Sequence, residues 1–134
     1  MKTDFGIELS YTGHKIYEGA WVSDSKVGHG ISYDKRGARR YVGEFSDGWE
    51  EGYGIAFDKL ERKRYEGAFK KGKRDGFGTK YDPEGIVKYE GYWETGVRQG
   101  TGKCFNKTGN LVYDGNHEQG FKSGSGKEFT DRGS

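Results

Sequence analysis

The chain has one proline, one cysteine, no long apolar run and almost no net charge. Each scarcity excludes a class of protein. A lone thiol, Cys104, closes no intrachain disulfide, which removes the stapled scaffolds of secreted proteins. No stretch has the apolar length of a signal sequence or a membrane-spanning helix, so a cytoplasmic setting is expected, with cytoskeletal or membrane association open to it. Lys plus Arg number 23 against 21 for Asp plus Glu, a formal charge of +2, without the strongly basic footprint of a nucleic-acid binder. Only 31% of residues are hydrophobic, too few for a thick, two-sided core.

Glycines and aromatic rings are plentiful: 25 Gly, 10 Tyr, 8 Phe and 3 Trp in 134 residues. Each interior glycine costs a helix about 1 kcal/mol relative to alanine, so helical bundles are excluded. Disordered chains are poor in aromatics, whereas rings bury large areas each, so a thin apolar layer can hold one domain together.

The rings and glycines are periodic. Tyr17, Tyr41, Tyr65, Tyr89 and Tyr113 stand 24 residues apart, and two places on come Gly19, Gly43, Gly67, Gly91 and Gly115. Two further on stand Trp21, Phe45, Phe69, Trp93 and, breaking the rule, His117. A G-x-G pair follows in each unit, its second glycine being Gly30, Gly54, Gly78, Gly102 or Gly126. The units are 17–40, 41–64, 65–88, 89–112 and 113–134. The register also runs backwards to Gly6 and Gly13, so residues 1–16 read as half a repeat, either an N-terminal cap or the remnant of a longer array.

Within a unit, Tyr41-Val42-Gly43-Glu44-Phe45 alternates as a strand does, placing both rings and the glycine on one face. The polar stretch Ser46–Glu51 reads as a hairpin loop around Gly48, with Asp24 in the equivalent place of the first unit, and a second strand runs Gly52–Phe57. Between units, Asp34, Asp58, Asp82 and Asn106 share one place, followed three residues later by Gly37, Gly85, Gly109 and Gly133, which is Asx-turn chemistry. Glu61 stands where the second unit lacks that glycine, so this turn is expected to be built differently. The fold expected is all-β: an elongated, single-layer antiparallel meander of eleven strands, roughly 50 Å long at about 4.8 Å per strand. Glycine is expected wherever Tyr, Trp or Phe rings lie across a neighbouring strand's backbone.

The pattern Y-x-G-x-[WF]-x-x-G-x-x-x-G-x-G, as in Tyr65-Glu66-Gly67-Ala68-Phe69-Lys70-Lys71-Gly72-Lys73-Arg74-Asp75-Gly76-Phe77-Gly78, resembles the MORN (membrane occupation and recognition nexus) repeat. The spacing is one residue longer than the commoner form, and His117 and Asp24 depart from the pattern. The resemblance implies an elongated sheet of hairpins serving as a scaffold, with links to protein contacts, oligomerisation and acidic phospholipids, and no shared catalytic chemistry. A choline- or cell-wall-binding repeat is a weaker alternative, because those carry denser Trp/Tyr clusters.

No catalytic constellation emerges. His14, His29 and His117 are far apart in sequence, no Cys/His pairing or nucleophile motif is present, and neither metal nor cofactor is expected. Cys104 reads as an ordinary strand residue. The repeat rings Trp21, Phe45, Phe69 and Trp93 are chiefly what the sheet buries, yet they can also line a groove that a partner helix or extended peptide completes. Trp49 and Phe121, at a hairpin-loop position, and Tyr92 fall outside the pattern and are better candidates for protein contact. Lys35, Arg36, Arg39 and Arg40, with Arg62, Lys63 and Arg64, flank one inter-unit turn in successive units; stacked about 10 Å apart they form a basic edge. The leading expectation is a non-catalytic scaffold binding a partner protein, or further copies of itself. The alternative is a peripheral module reading acidic phospholipids through that edge.

Overall fold

The computed structural model describes residues 3–129, so Gly133, expected in the last inter-unit turn, lies outside them. The described residues form eleven strands in one open sheet, whose spatial order is the chain order. They are β1 (Asp4–Leu9), β2 (Lys15–Val22), β3 (Ser25–Tyr33), β4 (Arg39–Ser46), β5 (Trp49–Phe57) and β6 (Lys63–Lys70). The rest are β7 (Lys73–Tyr81), β8 (Val87–Glu94), β9 (Val97–Phe105), β10 (Leu111–Glu118) and β11 (Phe121–Glu128). Every neighbouring pair is antiparallel, and paired glycines mark the middle of each: Gly19↔Gly30, Gly30↔Gly43, Gly43↔Gly54 and onwards to Gly115↔Gly126.

The hairpin loops are tighter than the polar stretches suggest. Ser46 pairs with Trp49, leaving only Asp47 (φ 50°) and Gly48 (φ 85°) in the turn. Two consecutive positive φ angles make a type I′ turn, whose twist matches the strands it joins. Ser23-Asp24, Lys71-Gly72, Thr95-Gly96 and Gln119-Gly120 repeat it. Trp49 and Phe121 are therefore the first residues of return strands, not loop residues. The first glycine of each G-x-G pair, such as Gly52 (φ 92°), absorbs the register shift that lies between Gly43 and Phe45 on the facing strand. Such bulges bend a sheet.

The inter-unit turns follow the Asx expectation. Asp34 Oδ1 accepts from Arg36 N at 2.9 Å and Ala38 N at 3.0 Å, and Asp58, Asp82 and Asn106 do the same for their own turns. The second unit, expected to differ, is built alike: Glu61 itself adopts the left-handed conformation (φ 61°). Its carboxylate accepts from Arg39 N and Nε at 3.1 and 2.9 Å, a cross-unit tie that glycine would lack.

The buried core lies on one face. Each tyrosine ring crosses its own strand's glycine and that of the return strand, and its hydroxyl donates to the carbonyl three residues on. Tyr17 reaches Ala20 O at 2.9 Å, Tyr41 Glu44 O at 2.8 Å, Tyr65 Ala68 O at 2.8 Å, Tyr89 Tyr92 O and Tyr113 Asn116 O both at 2.9 Å. A Cβ on Gly54 or Gly78 would fall inside the ring of Tyr41 or Tyr65. The overlying ring at these glycines is the tyrosine, while in the half repeat Trp21 covers Gly6; the Phe and Trp rings also meet tyrosines edge to face. Tyr17 touches Trp21 and Phe45 at 5.1 and 4.9 Å between centroids, Tyr41 touches Phe45 and Phe69, and Tyr65 touches Phe69 and Trp93. The result is a continuous zigzag in which every tyrosine links its own unit to the next. His117 does not break it: 3% exposed, the imidazole stands edge-on to Tyr89 at 5.0 Å and to Tyr113 at 5.3 Å.

Candidate functional site: a cationic groove over the ring ladder

The sheet bows so that both ends of its strands rise on the ring-bearing face. They enclose a groove of about 1290 Å³, lined by the inter-unit turns Asp34–Arg36, Asp58–Leu60 with Arg62 and Lys63, and Asp82–Pro83 on one side and by the hairpin residues Gly72, Lys73 and Gly96 on the other. Tyr41, Ala56, Phe69 and Lys80 belong to its lining.

Two rows of cations run along this face at the repeat spacing. At the hairpin side, Lys26 lies over Tyr17 at 5.1 Å, Arg74 over Tyr65 and Trp93 at 4.9 and 5.0 Å, Arg98 over Tyr89 at 4.7 Å, and Lys122 over Tyr113 at 4.9 Å. Glu50 takes this place in the second unit and holds Arg40 at 3.4 Å. At the turn side stand Arg40, Arg64 and Lys88, again one per unit. Lys80 completes the set, paired across β6 and β7 with Tyr65. Among the described residues, Arg64, Arg74, Lys80, Lys88 and Arg98 make no ion pair. Burial, then the charges of Arg74, Arg98, Lys88 and Arg64, push the Lys80 ammonium below its ordinary pKa. Burial does the same to Arg74, with Arg64 and Arg98 adding to it.

The basic edge expected from sequence is largely compensated. Arg39 pairs with Glu61 at 2.9 Å, Arg62 with Asp58 at 2.8 Å, Lys63 with Glu66 at 2.8 Å and Arg40 with Glu50 at 3.4 Å. Lys35, Arg36 and Arg64 have no such partner, and all three line the groove. Clustering along the chain gathers Arg74 with Lys70, Lys71 and Lys73 at the hairpin end but misses Arg98; reading position 26 through 50, 74, 98 and 122 down the repeat finds both.

The aromatic candidates separate onto two faces. Trp21, Phe45, Phe69 and Trp93 stand together in the ladder, the last three buried between tyrosines. Trp49, Tyr92 and Phe121 are exposed on the opposite, convex face, but on β5, β8 and β11, successive gaps of three strands, about 14 Å each. Tyr92 has a neighbour that sequence reasoning passed over: Phe77, edge-on at 5.4 Å. Phe77 and the similarly exposed Tyr53 are both middle residues of G-x-G pairs, where other units hold His29, Thr101 and Ser125, which is the signal that marks them.

The sheet also pairs a cysteine with a histidine that sequence spacing keeps 13 residues apart. Cys104 Sγ lies 3.4 Å from His117 Nε2, and Arg98 Nη1 donates towards the sulfur at 3.9 Å. Cross-strand neighbours are invisible to a search for adjacent motifs. Burial pushes the thiol pKa up and the imidazole pKa down, so both groups favour their neutral forms, the reverse of an activated nucleophile. No group of three His, Cys, Asp or Glu residues that could hold a metal is found among the described residues.

The geometry defines a single-layer array of β-hairpin repeats, and comparison with known proteins gives the class its name. The MORN repeat family matches residues 17–39, 41–56, 65–87 and 89–110, in the register of the tyrosine ladder and over more than half of the chain. The chain belongs to the MORN repeat family. A search of curated proteins finds no match. MORN repeats are generally non-enzymatic modules, linked to protein–protein or membrane–lipid interactions.

Proposed function

We propose that this protein is a non-catalytic scaffold that binds a partner protein in the concave groove. The observation that carries the reading is the groove itself: about 1290 Å³, walled on both sides and charged on its floor, over a face whose rings are already packed. A floor of packed rings favours recognition, because those side chains are already ordered before a partner binds. The lipid alternative loses weight because four of the seven edge cations are held in ion pairs. Self-association through further copies stays with the scaffold reading and is tested by sedimentation across a concentration series. A photo-cross-linking residue placed in cells at Lys88, in the groove, or at Tyr92, on the convex face, tests the main proposal. Cross-links to one protein species from Lys88 alone are expected; cross-links from Tyr92 alone would overturn the groove as the site.

A further inference from the structure

Five unpaired cations share the ring-bearing face, Arg64, Arg74, Lys80 and Lys88 in the groove's lining and Arg98 over the next tyrosine, and they are an unfinished arrangement. Arg64, Arg74, Lys80, Lys88 and Arg98 come from four neighbouring strands, β6 to β9, and repel one another, while the acids lining the groove are committed elsewhere: Glu50 to Arg40, Asp58 to Arg62, and Asp34 and Asp82 to the backbone of their own turns. Like charges drawn together without compensation cost stability, and a complementary anion removes that cost. Arg74 and Arg98 are further immobilised by stacking on Tyr65, Trp93 and Tyr89, which fixes where their guanidinium edges point and favours forked recognition of carboxylates.

The spacing restricts the anion further. Arg64 and Lys88 are one repeat apart, as are Arg74 and Arg98, and a repeat is two strands, about 9.6 Å along the array. A chain lying along the groove crosses those strands at right angles. In a β conformation side chains return to one face every two residues, about 6.6 Å, out of step with the cations. In polyproline II they return every three residues, about 9.3 Å, nearly matching the repeat. Resting on the groove reading above, we propose that the occupant is an extended, polyproline-II-like segment with acidic side chains at every third residue, received by Arg64, Arg74, Lys80, Lys88 and Arg98. A flat bilayer meets the turn and hairpin rims before it meets Lys80 or Arg74 on the floor, so the membrane is the less favoured partner.

Binding of three synthetic peptides, followed by fluorescence anisotropy at low and physiological salt, tests this. One repeats Glu-Pro-Pro four times, one replaces each Glu by Gln, and one gathers the four Glu residues at one end. The periodic acidic peptide should bind about tenfold or more tighter than either of the others and weaken as salt rises. The double variant Arg64→Gln/Lys88→Gln, whose side chains make no ring contact, should lose about tenfold in affinity with an unchanged melting temperature. Lys80→Ala should weaken binding independently. Equal binding of the Gln peptide would overturn the acidic class while leaving the groove in place. Equal binding of the clustered peptide would overturn the spacing. Unchanged affinity in both variants would move the site elsewhere, against the groove reading as well. Flotation with vesicles of equal phosphatidylserine and phosphatidylcholine, lost in the double variant and accompanied by no peptide binding, would assign the cations to a membrane and overturn the proposal.

Discussion

At the scale of single residues, the two ring positions have different jobs. The first is always tyrosine because its hydroxyl must donate to a carbonyl three residues on; the second accepts Trp, Phe or His because it supplies only an edge-to-face partner. Tyr65→Phe should therefore cost about 1 kcal/mol, the worth of one hydrogen bond with the ring retained, in urea denaturation. Gly78→Ala should cost more, about 3 kcal/mol, because its Cβ falls inside the Tyr65 ring, which is packed between neighbours and cannot yield. Thr79→Ala, one residue on and facing the other side, should stay within about 0.5 kcal/mol. The repeated tyrosine and its glycines are legible in sequence as a pattern. The hydroxyl's role is not, since a bond to a carbonyl leaves no mark on which residue supplies that carbonyl. His117 permits a third prediction. Its pKa is lowered by burial, then by Arg98, so below about 6.5 the unfolded chain takes a proton that the folded one resists, and stability should fall as pH drops. His117→Phe should flatten that acid-side slope in melts from pH 5 to 8, and add about 1 kcal/mol by removing the unpartnered buried Nδ1.

At the scale of elements, the turns are where sequence and structure part. The Asx turns could be read because the side chain that caps the turn is also the residue that repeats. The hairpin loops are shorter than sequence suggests, since Ser46–Glu51 is polar but for Trp49 and only pairing reveals that Ser46 and Trp49 already face each other. Glu61 shows the opposite error: its chemistry argues against the glycine position, but two hydrogen bonds from Arg39 accompany its positive φ. The groove cations were half legible, because their rows cross four strands and no window along the chain contains them. The I′ turns supply a test at this scale. Thr95 is β-branched at φ 48°, a poor fit to the left-handed region that asparagine tolerates well. Thr95→Asn should stabilise the protein by about 0.5 kcal/mol in thermal melts, whereas the same change at Ser25, a strand residue, should not.

At the scale of the whole molecule, strand order equals chain order and each strand touches only its neighbours. Stability in such an array is close to a sum of local terms and nearest-neighbour interfaces. Gly78→Ala in the middle should then divide it: native-state hydrogen exchange should show faster amides on β6 and β7, with slower exchange kept in β3 and β4. Uniform acceleration throughout would instead mean a single cooperative unit. The zigzag of rings has a mechanical corollary. Tyr17 through His117 form an unbroken rib, in contact edge to face along the concave side only. Bending the array lengthwise towards its ring face must press these rings into one another, against packing as incompressible as a crystal, whereas bending it the other way merely draws them apart. The molecule is thus a leaf spring with a stop. Distances between spin labels on β2 and β10 should be distributed with a sharp lower limit and a tail towards longer separations.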